Sequence, residues 1–390
     1  MSSLPHHLAR IVEAEYPRFS EAEMARRRGA VEALLARADC DHLLFCGANR
    51  FGSVVQWLTQ WPVTAEAVGV FTPRERDALF VQYVNHAPQA RILADKADVK
   101  WGGESSIAAA IETLERRGAR QDRVATIGLV SAEQHAALTA KFGKLKSLNR
   151  SYVRLRQVKS AEELDWLRIG AHFSDLGMTS LRDGCKPGLN ERELGDLVER
   201  AYVSQGAINV IHYIGVTAMD APDLGVPRQF PRRRRVQSGD VVVAEISAAF
   251  WDHPGQMLRS FSLGEPNKVY RDLHAAADAA FGSIAAVLKA GATPSQVIDA
   301  SGVIEDAGFT IIDDLLHGYG GGYLPPILGC KSRPAGPVPQ EPFRAGQTVV
   351  IQPNVVTPDG KAGVQTGEMV VIKATGIERM HTVPRGFVTL

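Results

Sequence analysis

The feature that most constrains this chain is a pair of short apolar runs, each stopping at a polar residue. Residues 241–244 (Val-Val-Val-Ala) lead into Glu245, and Thr348–Ile351 leads into Gln352. β-Branched and small residues in such runs suit the pleated surface of a buried strand. Packing explains the apolar positions. It does not explain Glu245 or Gln352, because a carboxylate or amide without a partner is costly in a core. Two other stretches belong with them. Gln256 follows Glu245 by eleven residues, and His317 opens the turn His317-Gly318-Tyr319-Gly320. Gln352 is followed by Pro353, and Glu368 lies further on.

These stretches resemble the catalytic half of the creatinase / aminopeptidase P family, the pita-bread metallopeptidases. In that family two divalent metals are held by an Asp, an Asp eleven residues later, the His of a His-Gly-x-Gly turn, a Glu before Pro, and a last Glu. The resemblance lays these positions on Glu245, Gln256, His317, Gln352 and Glu368. It implies an α/β protein, with a creatinase-like N-terminal α/β domain over residues 1–155 and a pita-bread domain over residues 156–390. It further implies that Glu245, His317, Gln352 and Glu368 converge on one cavity. The family also implies a homodimer whose N-terminal domain lies over the partner's cavity.

The ligand chemistry departs from the family. Two carboxylate positions are now the amides Gln256 and Gln352, leaving Glu245 and Glu368 as the anions. Amide oxygens coordinate without offsetting an ion's charge. Two divalent ions would leave roughly two positive charges uncompensated in a partly buried pocket. A dinuclear centre is therefore not expected. One Mn, Zn or Fe ion on Glu245, His317 and Glu368 is one reading, since two carboxylates and a histidine leave open positions. The reading preferred is no metal, as in creatinase, whose matching positions are likewise altered.

Without a metal, His317 is a candidate acid or base near neutral pH. Glu368 or Glu245 is expected to orient it, or to act as a base whose pKa burial raises. Gln256 and Gln352 offer donors and acceptors for an amide, urea or carboxylate. His212 is either a satisfied core histidine or a catalytic one. The catalytic histidine of creatinase comes from the loop after this strand, where residues 220–223 hold none. Arg259, three residues past Gln256, pairs Glu368 or binds a substrate carboxylate. Tyr319 and Tyr323 flank Gly320, Gly321 and Gly322 as substrate contacts. Asn49, Arg50, Phe51, Trp57 and Trp61 are either substrate contacts reaching a partner's site or packing. His253 reads as an exposed turn residue.

Helical signals frame these sites. Ser20 with Glu23, and Ser160 with Glu163, have capping-box spacing and open helices over about 19–38 and 161–183. A repeated pattern of capping residue, amphipathic helix and glycine begins at Asn190 and again at Thr293. The net charge of +1 gives no general attraction for nucleic acid or membrane, and no apolar run spans a bilayer. The Arg232–Arg235 run is a solvated loop or steers an anion. Four scattered cysteines and no secretion signal at the start point to a cytoplasmic protein. The leading expectation is a dimeric hydrolase that cuts a C–N bond in a small amide, ureido or amidino compound. The alternatives are a mono-metal Xaa-Pro-type peptidase or dipeptidase, and a retired homologue that only binds a ligand.

Overall fold

The computed structural model describes residues 4–48 and 52–390. Asn49, Arg50 and Phe51 lie outside the described residues. The chain divides into two compact units, residues 13–156 and residues 1–12 with 157–390. The sequence reading placed residues 1–12 with the first unit. Residues 4–12 group with the second, where His7 Nε2 lies 3.9 Å from Asp165.

The smaller unit is an α/β layer. Its strands are β1 (His42–Gly47), β2 (Ala67–Phe71), β3 (Asp77–Val81), β4 (Ala97–Trp101), β5 (Val124–Ile127) and β6 (Lys146–Ser147), in the order β4-β3-β2-β1-β5-β6. β1 pairs antiparallel with β2 and parallel with β5. Ser20 caps the helix Glu21–Arg37 by accepting from the Glu23 amide. Trp57 and Trp61 are both buried in this unit, and Trp57 meets Tyr152 edge-on. Trp61 is 4% exposed, so the substrate-contact role expected of it is corrected to packing.

The larger unit is built on a ten-stranded sheet. Its main path runs β13 (Tyr323–Leu328), β12 (Leu316–Tyr319), β14 (Thr348–Ile351), β17 (Gly367–Ile372), β10 (Met257–Ser262), β8 (Asp240–Phe250) and β7 (Ile208–Ala218). Short strands β9 (His253–Pro254), β18 (Ile377–Arg379) and β19 (Val388–Thr389) pair with β8, β17 and β10. A three-stranded sheet of β11 (Thr310–Ile311), β15 (Asn354–Val356) and β16 (Gly363–Gln365) adjoins it in sequence. Helix Ala161–Gly184 starts on a complete Ser160–Glu163 capping box and packs along β8. Asn190 and Thr293 cap Glu191–Arg200 and Pro294–Ala300, so the repeated pattern yields paired capped helices. Every residue of β8 is buried, the polar Asp240, Glu245 and Ser247 included, so the run 241–244 within it is apolar on both faces. Among the described residues, no helix is long and apolar enough to cross a membrane.

One expectation fails here and another holds in part. His253 is buried, not exposed, with its ring 5.3 Å from that of Trp166. The arginine run is a loop with Arg233 and Arg235 exposed, but its charges are in part neutralised by the protein. Arg232 pairs Glu191 and Asp223, Arg234 pairs Asp240, and Arg235 donates to the Gly188 carbonyl.

Candidate active site

Register decides which side chains share a face of the large sheet. Residues directly opposite on neighbouring strands point the same way, and each step along a strand reverses the direction. Tyr213 on β7 faces Glu245 on β8, which faces Leu258 on β10, which faces Gly367 on β17. Continuing along that face, Met369 lies opposite Val350, and Val350 opposite His317. Gln256 and Gln352, two residues from Leu258 and Val350, belong to it as well. Glu245, Gln256, His317 and Gln352 are therefore brought to one side of the sheet.

Glu368 is not. It lies opposite Met257 and Ile351, one residue out of phase with Gly367 and on the reverse face. There it accepts from Arg259 at 2.7 Å and is bridged by Arg379. Burial pushes its pKa up, but the two arginines outweigh burial and hold it below the ordinary carboxylate value. The expected role of Glu368 as base, orienting group or metal ligand is corrected by this one-residue phase difference. Gly367 holds the cavity-facing position and brings no side chain. A Cβ there would lie 2.2 Å from the Ile351 carbonyl oxygen and 2.8 Å from the Gln352 Cα.

Arg259 goes with Glu368. Its guanidinium also donates to the carbonyls of Leu258, Gly367, Val383 and Pro384 and is 1% exposed. Of its two expected roles it keeps the pairing, and the substrate-binding role is corrected. His212 also lies on the reverse face, opposite Ile246. Its Nε2 is 2.7 Å from the Tyr202 hydroxyl and its Nδ1 is 3.4 Å from Glu199, and burial lowers its pKa to about 4. A catalytic role for His212 is corrected to a half-buried position held by Tyr202 on the reverse face. The residue beside it, Tyr213, takes the site-facing position.

On the site face, Gln256 Nε2 donates to Glu245 Oε1 at 2.6 Å, and the neighbouring Gln365 amide favours its ionised form. Burial, aided by the negative Asp313 nearby, pushes Glu245 up to about 7. The Oε1 atoms of Gln256 and Gln365 are buried and lack a hydrogen-bond partner. Such atoms are acceptors waiting for a donor.

The second cluster centres on Asp314, which sequence reasoning missed. Gln352 Nε2 donates to Asp314 Oδ1 at 2.5 Å, and the Tyr323 hydroxyl donates to Oδ2 at 2.5 Å. Burial raises Asp314 to about 7, with Asp313 adding to the rise and the Tyr323 bond opposing it. Gln352 then turns Oε1 toward His317 Nε2, 3.2 Å away, while His317 Nδ1 is 3.1 Å from the Gly318 carbonyl. Both ring nitrogens face acceptors, yet a neutral imidazole has one N–H. Burial lowers the His317 pKa to about 4, so the proton that would satisfy both contacts is disfavoured. The expectation of a histidine titrating near neutrality is corrected. Tyr323 stacks on His317 at 4.1 Å, and Tyr319 meets it edge-on and donates to Ser247 at 3.2 Å.

The donor set does not fit the metal that the resemblance implies. Gln256 and Gln352 are neutral, Gly367 has no side chain, and Glu368 is turned away and neutralised. Among the described residues, no group of three or more His, Cys, Asp or Glu side chains is arranged to hold a metal ion.

Comparison with known proteins follows this geometry. The sequence model of Metallopeptidase family M24 matches residues 165–374. An uncharacterized peptidase of Staphylococcus aureus (strain MSSA476) is 23% identical over 359 residues, 89% of this chain and 86% of the relative. The X-Pro aminopeptidase from Thermotoga maritima MSB8 superposes with a TM-score of 0.80 at 18% identity, covering 93% of this chain and 99% of that one. The Xaa-Pro dipeptidase from Bacillus anthracis does so with a TM-score of 0.80 at 16% identity, covering 94% and 100%.

Proposed function

The chain belongs to metallopeptidase family M24, a hydrolase of C–N bonds with the pita-bread fold, and from that premise we propose a metal-independent, creatinase-like hydrolase acting on a small amide, ureido or amidino compound. The family implies divalent metal use, so the departure must come from this chain's own residues. The carrying observation is the donor set. Of five family positions, two are amides and the last places a glycine, Gly367, on the site face.

In this reading Glu245 is the general base. A carboxylate with a pKa of about 7 takes a proton effectively near neutral pH. It removes a proton from a water molecule as the water's oxygen bonds to the substrate carbon. The C–N bond then breaks, and the leaving nitrogen receives the proton that Glu245 holds. Gln256 fixes the carboxylate, and the free Oε1 atoms of Gln256 and Gln365 accept from substrate N–H groups. His317, neutral at working pH, orients the substrate instead of exchanging protons. Tyr319 walls the site beside it. The proposal includes a cytoplasmic homodimer, which light scattering at micromolar concentration tests.

The test is chemical. Protein purified without added metal is analysed for bound ions, then assayed on ureas, amides, amidines and Xaa-Pro dipeptides with and without a chelator. The expected result is less than one tightly bound ion per chain and turnover of a non-peptide substrate unaffected by chelation. Two tightly bound divalent ions, or activity abolished by the chelator, would overturn it. A second reading is an Xaa-Pro-type peptidase or dipeptidase, supported by the names of the structural neighbours. Exclusive turnover of Xaa-Pro dipeptides selects it.

A further inference from the structure

We infer that Tyr323 is the gate of this site and that Asp314 is the positioning residue that latches it shut. Tyr323 is 52% exposed, whereas His317 beneath it is 1% exposed. The rings stack at 4.1 Å with a 25° tilt, so one face of the tyrosine covers the imidazole while the side chain remains open to solvent. Glu245, Gln256 and Gln352 are buried as well. In this arrangement Tyr323 covers His317 on the side that faces solvent.

The surroundings suit such a movement. Tyr319 and Tyr323 are opposite each other across the β12–β13 hairpin, and Gly320, Gly321 and Gly322 form its loop. All three have positive φ, at 122°, 66° and 107°, the region that glycine adopts without steric cost. One strong contact holds the ring down. The Tyr323 hydroxyl donates to Asp314 Oδ2 at 2.5 Å, while Asp314 Oδ1 accepts from Gln352. The same carboxylate thus ties the gate to the amide that faces His317. Opening the gate frees one oxygen of Asp314 beside that amide, at the moment a substrate arrives. Asp314 acts through Tyr323 and Gln352, not on the reacting atoms.

The inference takes from the proposed reaction only that substrate meets His317, and its test needs no turnover, so the two fail separately. Full-length protein is treated with diethyl pyrocarbonate, and modification of His317 is followed by peptide mass spectrometry. His212, on the reverse face of the sheet, is the internal control. Tyr323→Phe keeps the ring and removes the latch. Losing a hydrogen bond to a charged group should raise the open population, and the His317 rate, roughly tenfold. Asp314→Asn should do the same, Asp314→Glu should restore most of the protection, and the double variant should add little, because both changes remove one shared interaction. An unchanged His317 rate in Tyr323→Phe overturns the gate. Equal acceleration of His212 also overturns it, because the variant would then have loosened the whole sheet.

Discussion

Replacing Glu245 with glutamine should stabilise the protein above neutral pH, and the size of the gain follows from its burial. Glu245 is pushed up to about 7 from an ordinary value of 4.5. At about 1.4 kcal/mol per pH unit, keeping this carboxylate ionised costs the fold roughly 3 kcal/mol. The sign is that of a raised carboxyl pKa. The favourable protonated form is fully present below pH 4.5, and its advantage is lost as pH rises through 7. Glutamine has nearly the same shape and still accepts from Gln256 Nε2, so little of the hydrogen bonding is lost. Glu245→Gln should then match the native protein near pH 4.5 and exceed it by up to about 3 kcal/mol at pH 8. Urea unfolding at several pH values, with and without a chelator, measures this. A difference that stays flat between pH 5 and 8 would refute the argument from burial. A native protein that loses stability on chelation would refute the metal-free premise instead. Activity should disappear in the same variant, which separates the base from a packing residue.

Glu368→Gln should cost about 3–5 kcal/mol in urea unfolding, because Arg259 would be left as a buried charge with one partner fewer. It should leave the metal content of purified protein unchanged, since Glu368 lies on the reverse face. His212→Gln should keep substrate turnover and lose about 1 kcal/mol of stability with the Tyr202 hydrogen bond. A drop in activity beyond the loss of folded protein would return His212 to the mechanism. The double change Gln256→Asp with Gln352→Glu restores two anionic oxygen donors and should bind Mn or Zn far more tightly than native protein. It should stop at one equivalent by metal analysis after dialysis, because Gly367 still supplies no fifth donor. A second equivalent would show that Gly367 does not limit the site.

Most of the architecture could be read from the chain because burial and capping leave local marks. The buried run 241–244 in β8, the Ser160–Glu163 box and the capping residues Asn190 and Thr293 each have one physical explanation and formed as read, whereas the helices they open end at Ala201 and Ser301, short of the glycines expected to stop them. The site was legible where a landmark fixed the register. The eleven-residue spacing fixed Gln256, the His-Gly-Tyr-Gly turn fixed His317, and Pro353 fixed Gln352. Around Glu368 no landmark existed. Gly367–Ile372 is buried on both faces, so its sequence does not alternate and cannot say which side chain looks inward. A strand with a two-residue period turns an error of one residue into the opposite face. The same period explains His212 and Tyr213. Asp314 left no mark at all, because the pair Asp313-Asp314 before an apolar strand reads as an ordinary polar loop. Only its contacts to Gln352 and Tyr323 distinguish it.

The departures from the family ligand set are physically consistent with one another. Restoring a carboxylate at position 367 alone would force a Cβ against the Ile351 carbonyl, and restoring those at 256 and 352 alone would crowd negative charge around Glu245 and Asp314. Both remaining site-face carboxyls already sit near pKa 7 without any such addition. A divalent ion normally pulls its carboxylates well below their ordinary values, because its charge favours the ionised form. Among the described residues, no arginine or lysine is paired with Glu245 or Asp314, and each is raised chiefly by burial. Arg259 and Arg379 are spent on Glu368 across the sheet. The amides at 256 and 352 are what keeps such a site foldable. They fill the space of carboxylates, hydrogen-bond Glu245 and Asp314, and add no charge. A pair of half-ionised carboxyls held by neutral amides is poised to move protons at neutral pH, which a metal-clamped carboxylate is not.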